Sequence, residues 1–123
     1  MDTVASLSPG RFESQLCGAG LGLRFGPFDM HLRVRLPDVA APLLELYRDY
    51  PTLNGDRVYS GHIEMCAVWS RLPWRERLVR VLVDRRPPHE DMPAAHALAV
   101  LEWGLNLVIA MRHQSYLMLH SAA

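Results

Sequence analysis

From Phe28 to Leu36 apolar and polar residues alternate strictly. Phe28, Met30, Leu32, Val34 and Leu36 fall on one side, and Asp29, His31, Arg33 and Arg35 on the other. A period of two predicts a strand with one wet face. Leu21 to Phe25 predicts a short strand before it, and the intervening Gly26-Pro27 is a turn signal, so the two are expected to form a hairpin. Upstream, Ser8-Pro9 marks a helix start, with Ser able to cap and Pro suited to the first helical position; that helix is expected to run to about Leu16 and to stop at Gly18 and Gly20. Pro37-Asp38 opens a second helix to about Tyr50, closed by Pro51.

The second half repeats the strand signal. Tyr59 to Ser70 alternates Ile63, Met65, Ala67 and Trp69 against His62, Glu64 and Cys66, and Leu78 to Val83 is rich in Val and Leu. Leu72-Pro73-Trp74-Arg75 predicts a turn, Asn54-Gly55-Asp56 a loop, and Arg85 to Pro93 a polar, proline-rich loop. A long apolar stretch, Ala94 to about Gln114, predicts a helix, and Tyr116 to His120 a short final strand. The order α-β-β-α-β-β-α-β points to an α+β fold, a small antiparallel sheet with the long helix packed on one face. An apolar last strand without a covering neighbour is expected to be an edge that invites self-association.

A length of 123 residues suits one domain. All 13 basic residues are Arg, and 13 acidic residues balance them. No basic excess suggests a nucleic acid or an anionic membrane surface as partner. Cys17 and Cys66 form no CxxC pair, which argues against a zinc site and for a reduced, cytoplasmic setting. Ala94 to Met111 carries His96, Glu102 and Asn106, so it reads as a core helix rather than a membrane span.

Motifs for chemistry are incomplete. There is no phosphate loop of the GxxxxGK[ST] type, no nucleophile elbow and no HExxH helix, and the six His residues are scattered without metal-ligand spacing. Gly18, Gly20 and Gly22 follow a predicted helix and precede a strand, the reverse of a dinucleotide fingerprint. One constellation stands out. Glu102, Asn106 and His113 on the long helix fall within about 40° of one another at 3.6 residues per turn. Such a stripe is a hydrogen-bonded structural network, the helix's only solvent edge, or part of a site completed by other segments, which His120 could join. On a helix that is apolar almost all round, Glu102 is expected to be largely buried and hydrogen-bonded, with Arg33 or Arg80 supplying the countercharge. Tyr47, Tyr50 and the tryptophans Trp69, Trp74 and Trp103 read as packing residues.

Four phrases occur in order: Leu-Arg-Phe-Gly-Pro-Phe at 23–28, Leu-Tyr-Arg-Asp-Tyr-Pro at 46–51, Leu-Glu-Trp-Gly-Leu-Asn at 101–106, and Tyr-Leu-Met-Leu-His-Ser-Ala at 116–122. Together they resemble the N-terminal region of the HPr-kinase-related kinase A family, bacterial relatives of HPr serine kinase/phosphorylase associated with PqqD-like peptide chaperones. The resemblance spans nearly the whole chain. It implies that 1–115 is an accessory or substrate-docking domain and that 116–123 is the first strand of a kinase-like domain. It implies ATP and Mg²⁺ for the full-length family, whose phosphate loop lies beyond that strand and has no counterpart in this chain. Glu102, Trp103, Gly104, Asn106 and His120 match the family pattern; Leu107 and Ser121 depart from it mildly, standing where an aromatic residue and Ala are expected. A stand-alone peptide- or protein-binding module of a peptide-modification system is the alternative, and a small enzyme using Glu102 and His120 a third.

Lacking a backbone cradle for phosphate and carboxylates for Mg²⁺, the chain alone is expected to show no saturable binding when Mg-ATP is titrated into it calorimetrically. Binding at micromolar concentration would overturn this.

Overall fold

The computed structural model describes residues 2–54, 57–68 and 76–121, and the backbone but not the side chains of Tyr116, His120 and Ser121. Gly55, Asp56 and the segment 69–75, with Trp69, Trp74 and the turn expected there, lie outside the described residues. Helix α1 is Pro9–Cys17, the hairpin strands are β1 (Leu21–Phe25) and β2 (Phe28–Val34), and α2 is Pro37–Leu46. Then come β3 (Thr52–Leu53), β4 (Gly61–Val68), β5 (Leu78–Val83), β6 (Met92–Pro93) and α3 (Ala97–Ser121), the last entered through a 3₁₀ turn at Ala94–His96. The fold is α+β, as the sequence pattern predicts.

Local chemistry accounts for several boundaries. Ser8 caps α1, its side chain accepting from the Arg11 N–H at 3.2 Å, with Pro9 in the first turn. Gly26 has φ +60°, which sets the tight turn between β1 and β2. Helix α2 ends at Leu46, earlier than expected, and the chain turns through Tyr47 to Tyr50 with the Tyr47 ring buried. Pro42 sits inside α2 beyond the first turn, so it removes one helical hydrogen bond without ending the helix.

The strands form one sheet in the order β3-β1-β2-β4-β5-β6. Every pairing is antiparallel except β2 with β4, which run parallel with His31 opposite His62 and Arg33 opposite Glu64. That pair is the departure from the all-antiparallel expectation. A parallel neighbour needs a crossover, and here the chain runs through α2 and then β3, on the far side of β1, before it reaches β4. The alternation read in the sequence is what the sheet uses. Met30, Leu32, Val34, Ile63, Met65, Val79 and Val81 are buried and share one core with residues of all three helices. Asp29, His31, Arg33, His62, Glu64 and Arg80 occupy the opposite face.

Helix α3 is covered along its first half only. Ala97, Val100, Leu101, Leu105 and Val108 are buried, spaced as one stripe of a 3.6-period helix. Each Leu or Val so buried contributes roughly 1.5–3 kcal/mol. Gly61, at the start of β4, lets this stripe approach, because a Cβ there would press on Val108 and Met30. Beyond Ile109 every described side chain of α3 is exposed, including Met111, Leu117, Met118 and Leu119. By length and composition Ala94–Leu119 could cross a membrane, its most apolar 18-residue window having a mean hydropathy of 1.5, yet its first half packs into the core.

Two expectations fail here. Tyr116 to His120 is not a strand: α3 continues through it to Ser121, so the edge that was to drive self-association is not formed. Leu117, Met118 and Leu119 carry helix-compatible side chains and extend an already nucleated helix, which adds one hydrogen bond per residue. Trp103 is not core; it is 48% exposed, with the His89 ring edge-on to it at 4.9 Å.

Gly20 has φ +99°, and a Cβ there would overlap the His31 imidazole. Gly20→Ala is therefore expected to cost about 2 kcal/mol, combining the left-handed backbone penalty with the clash. His31→Ala removes the clash but not the backbone penalty, so chemical denaturation of the double variant should show a cost clearly smaller than the sum of the singles. Strict additivity would show that the ring does not lie against Gly20.

Candidate functional site

The stripe Glu102, Asn106 and His113 lines a groove of about 500 Å³. Its other walls are Phe25, Gly26, Pro27 and Phe28 from the β1–β2 turn, and Leu46, Tyr47 and Tyr50 from the end of α2; Leu105 and Ile109 complete the α3 side. The early end of α2 places the tyrosines, because the turn at 47–50 carries both rings toward the hairpin. Phe25 meets Tyr47 at 5.4 Å and Tyr50 at 5.0 Å, and the two tyrosines meet at 5.2 Å. Edge-to-face contacts of this kind hold aromatic rings at defined angles. Tyr47 is buried, whereas Tyr50 is 37% exposed and faces the opening.

The electrostatics of this groove are one-sided. Glu102 is half-buried, and among the described residues it has no hydrogen bond and no ion pair. The expectation of a largely buried, hydrogen-bonded carboxylate is thus corrected. Arg33 and Arg80 cannot serve it, because both project from the opposite face of the sheet, where Arg33 lies 4.0 Å from Glu64 and Arg80 pairs with Asp91 at 2.9 Å. The Tyr47 hydroxyl is pushed up to about 12, first by burial, then by the negative charge of Glu102 and by Tyr50.

Asn106 and His113 are exposed on the same wall. His120 does not join them. It lies on the same helix, roughly 27 Å of axis beyond Glu102 at 1.5 Å per residue, and its side chain is outside the described residues. An active site combining Glu102 and His120 within one chain is therefore not formed.

A second polar surface occupies the open face of the sheet. His31, His62 and Tyr59 form a triangle of rings 5.2–5.6 Å apart, flanked by two shallow grooves of about 460 and 550 Å³. Burial, then His62 and Arg33, hold the His31 imidazole below its ordinary value, against a hydrogen bond to the Ala19 carbonyl and the Glu64 charge. Around the triangle charges are matched. Arg24 donates to Asp29 at 2.9 Å, Arg35 lies 3.8 Å from Glu64, and Arg112 reaches Asp84 at 3.1 Å. Asp84 also accepts from the His62 N–H at 2.9 Å, and both Asp84 and Arg85 have positive φ in the two-residue turn after β5. No group of three or more His, Cys, Asp or Glu suited to a metal ion occurs among the described residues.

Reasoning from the sequence finds the stripe but misses its partners. Tyr47 and Tyr50 are three residues apart, a spacing that puts them on one side of a turn, and Phe25 is the last residue before a hairpin turn. Ten of the twelve groove residues fall within three of the four phrases, those at 23–28, 46–51 and 101–106; only Ile109 and His113 do not. Comparison with protein-family models, with curated proteins and with solved structures finds no match to this chain.

Tyr47 makes the groove responsive to alkali. Its folded-state pKa of about 12 exceeds the unfolded value near 10. Its contribution to stability is complete below pH 10 and is lost as pH rises toward 12, because the unfolded chain releases the phenolic proton first. Urea midpoints measured from pH 9 to 11.5 are expected to fall, and Tyr47→Phe to flatten the fall. An unchanged slope in that variant would place the titration elsewhere.

Proposed function

We propose that this chain is a docking module for a peptide or protein segment, serving a kinase-like protein of the HPr-kinase-related type. The observation that carries the reading is that three of the phrases on which the resemblance rests fold together as the walls of one groove. Aromatic and aliphatic side chains line it, with a carboxylate, an amide and an imidazole set along one wall. Pockets of this size with few, placed polar groups are suited to binding. Phosphotransfer, with ATP and Mg²⁺, belongs on this reading to the kinase-like part of such a protein, in a cytoplasmic setting. A PqqD-like chaperone or the peptide it carries is the expected visitor.

The geometry favours docking over chemistry. A general acid or base needs a partner within hydrogen-bond reach of the reacting group. Glu102 and His113 are eleven residues apart on one helix, roughly 16 Å along its axis, too far to share a substrate proton.

Selection of a random-peptide display library on the immobilised chain tests the reading. Selected peptides are expected to shift the NMR signals of Phe25, Tyr50, Asn106 and His113, and Tyr50→Ala is expected to weaken them by about tenfold, as truncation of an aromatic anchor does. Peptides that map instead to the His31–His62 face, or that ignore Tyr50→Ala, would overturn docking at this groove.

A further inference from the structure

Five of the chain's 13 arginines stand against its half-buried carboxylates. Asp29 has Arg24 and Arg57, Glu64 has Arg33 and Arg35, and Asp91 has Arg80. Glu102 is the exception that faces a groove; Glu13, the other half-buried carboxylate without an ion pair among the described residues, is on α1 and outside the grooves. Among the described residues no arginine lines the groove of Glu102, and the basic group that does, His113, stands at the far end.

A partly desolvated carboxylate attracts a cation more strongly than one in water, because the surroundings screen it less. The wall opposite is aromatic. Phe25, Tyr47 and Tyr50 hold one another at 5.0–5.4 Å, and aromatic ring faces carry negative electrostatic potential. A negative charge and three aromatic rings thus line one space, and no arginine among the described residues lines it with them. Leu46 and Ile109 at the rim offer apolar surface for the aliphatic stem of a long side chain and for the residues beside it.

We propose that the occupant of this groove inserts a basic side chain, arginine or lysine, flanked by apolar residues in an extended peptide segment. The inference rests on the docking reading and adds the chemistry of the partner. The cation sits between Glu102 and the exposed Tyr50 ring. Asn106, one turn along α3, presents its amide oxygen to a second N–H of a guanidinium or to the peptide backbone.

The test uses the peptides selected on the chain. Each is resynthesised with its basic residue replaced by citrulline, which keeps the shape of arginine and removes the charge, and binding is measured by fluorescence anisotropy to wild type and to Glu102→Gln. A basic residue next to apolar ones is expected in the enriched sequences. Citrulline should weaken wild-type binding by about tenfold or more, and Glu102→Gln should weaken the basic peptides to the same extent while leaving the citrulline peptides unchanged. The melting temperature of Glu102→Gln should match wild type, since Glu102 has no partner within the described chain to lose. Groove-dependent peptides that lack a basic residue, or that bind equally well as citrulline forms, would overturn the charge assignment and leave docking standing. Failure to obtain any peptide whose binding depends on Tyr50 would remove the docking reading and this inference with it.

Discussion

The parallel pairing of β2 with β4 is the join on which the rest of the molecule depends. It connects the N-terminal hairpin to the β4–β5 pair, and its register sets both faces at once. Toward the helices it aligns Leu32 with Ile63 and Val34 with Met65 in one apolar layer. Toward solvent it aligns His31 with His62 and Arg33 with Glu64. A slip of one residue would turn the apolar layer outward. Because the strands are parallel, the chain must travel back over the sheet between them, and α2 makes that return. The turn that ends α2 then delivers Tyr47 and Tyr50 to Phe25. The groove is therefore a by-product of strand direction.

The two faces distribute charge in opposite ways. On the open face, cations and carboxylates alternate across neighbouring strands, so most of the local field cancels, and partly exposed pairs of this kind contribute little net stability. On the helical side, Glu102 has no countercharge among the described residues and acts instead on the hydroxyl of Tyr47. Architecture there is carried by the apolar stripe of α3 and by the aromatic contacts.

Much of this was legible in the sequence where a periodic pattern fixed a face. The alternation of β2, and of β4 as far as Met65, identified the inner and outer residues, while Ala67, expected on the inner side, is exposed; the Ser8-Pro9 start of α1 has its expected cap, and the spacing of Glu102, Asn106 and His113 placed them on one wall. Strand direction was not legible, because the helix α2 and the two-residue strand β3 that lie between β2 and β4 permit either sense of pairing. The cross-strand match of Arg33 with Glu64 held that information only once the pairing was known. The apolar residues after Tyr116 carry no signal that separates a strand from the last turns of a long helix, and continuation of the helix won. The depth of Glu102 depended on which neighbours cover α3, which no periodicity states. The packing reading holds for Tyr47, which is buried in the core, but not for the 37% exposed Tyr50, because the early end of α2, a tertiary effect, decides where each ring points.

Helix α3 is one element by hydrogen bonding and two by support. Up to Val108 its backbone opens only if the core of the sheet opens with it. Beyond Ile109 the described side chains touch water, and the turns are held chiefly by their own hydrogen bonds, with the exposed Arg112–Asp84 pair beside them. Amide protons along this single helix will therefore exchange on two timescales, slow in the first half and fast in the second, with the change falling between adjacent turns. The groove straddles that change. Its Phe25–Tyr50–Glu102 end is anchored in the part of the molecule that packs on the core, as is Ile109, and its His113 end belongs to the turns beyond, whose described side chains are exposed. A bound segment would meet a fixed socket at one end and an adjustable wall at the other, a combination that holds one anchor residue strictly while tolerating variety in its neighbours.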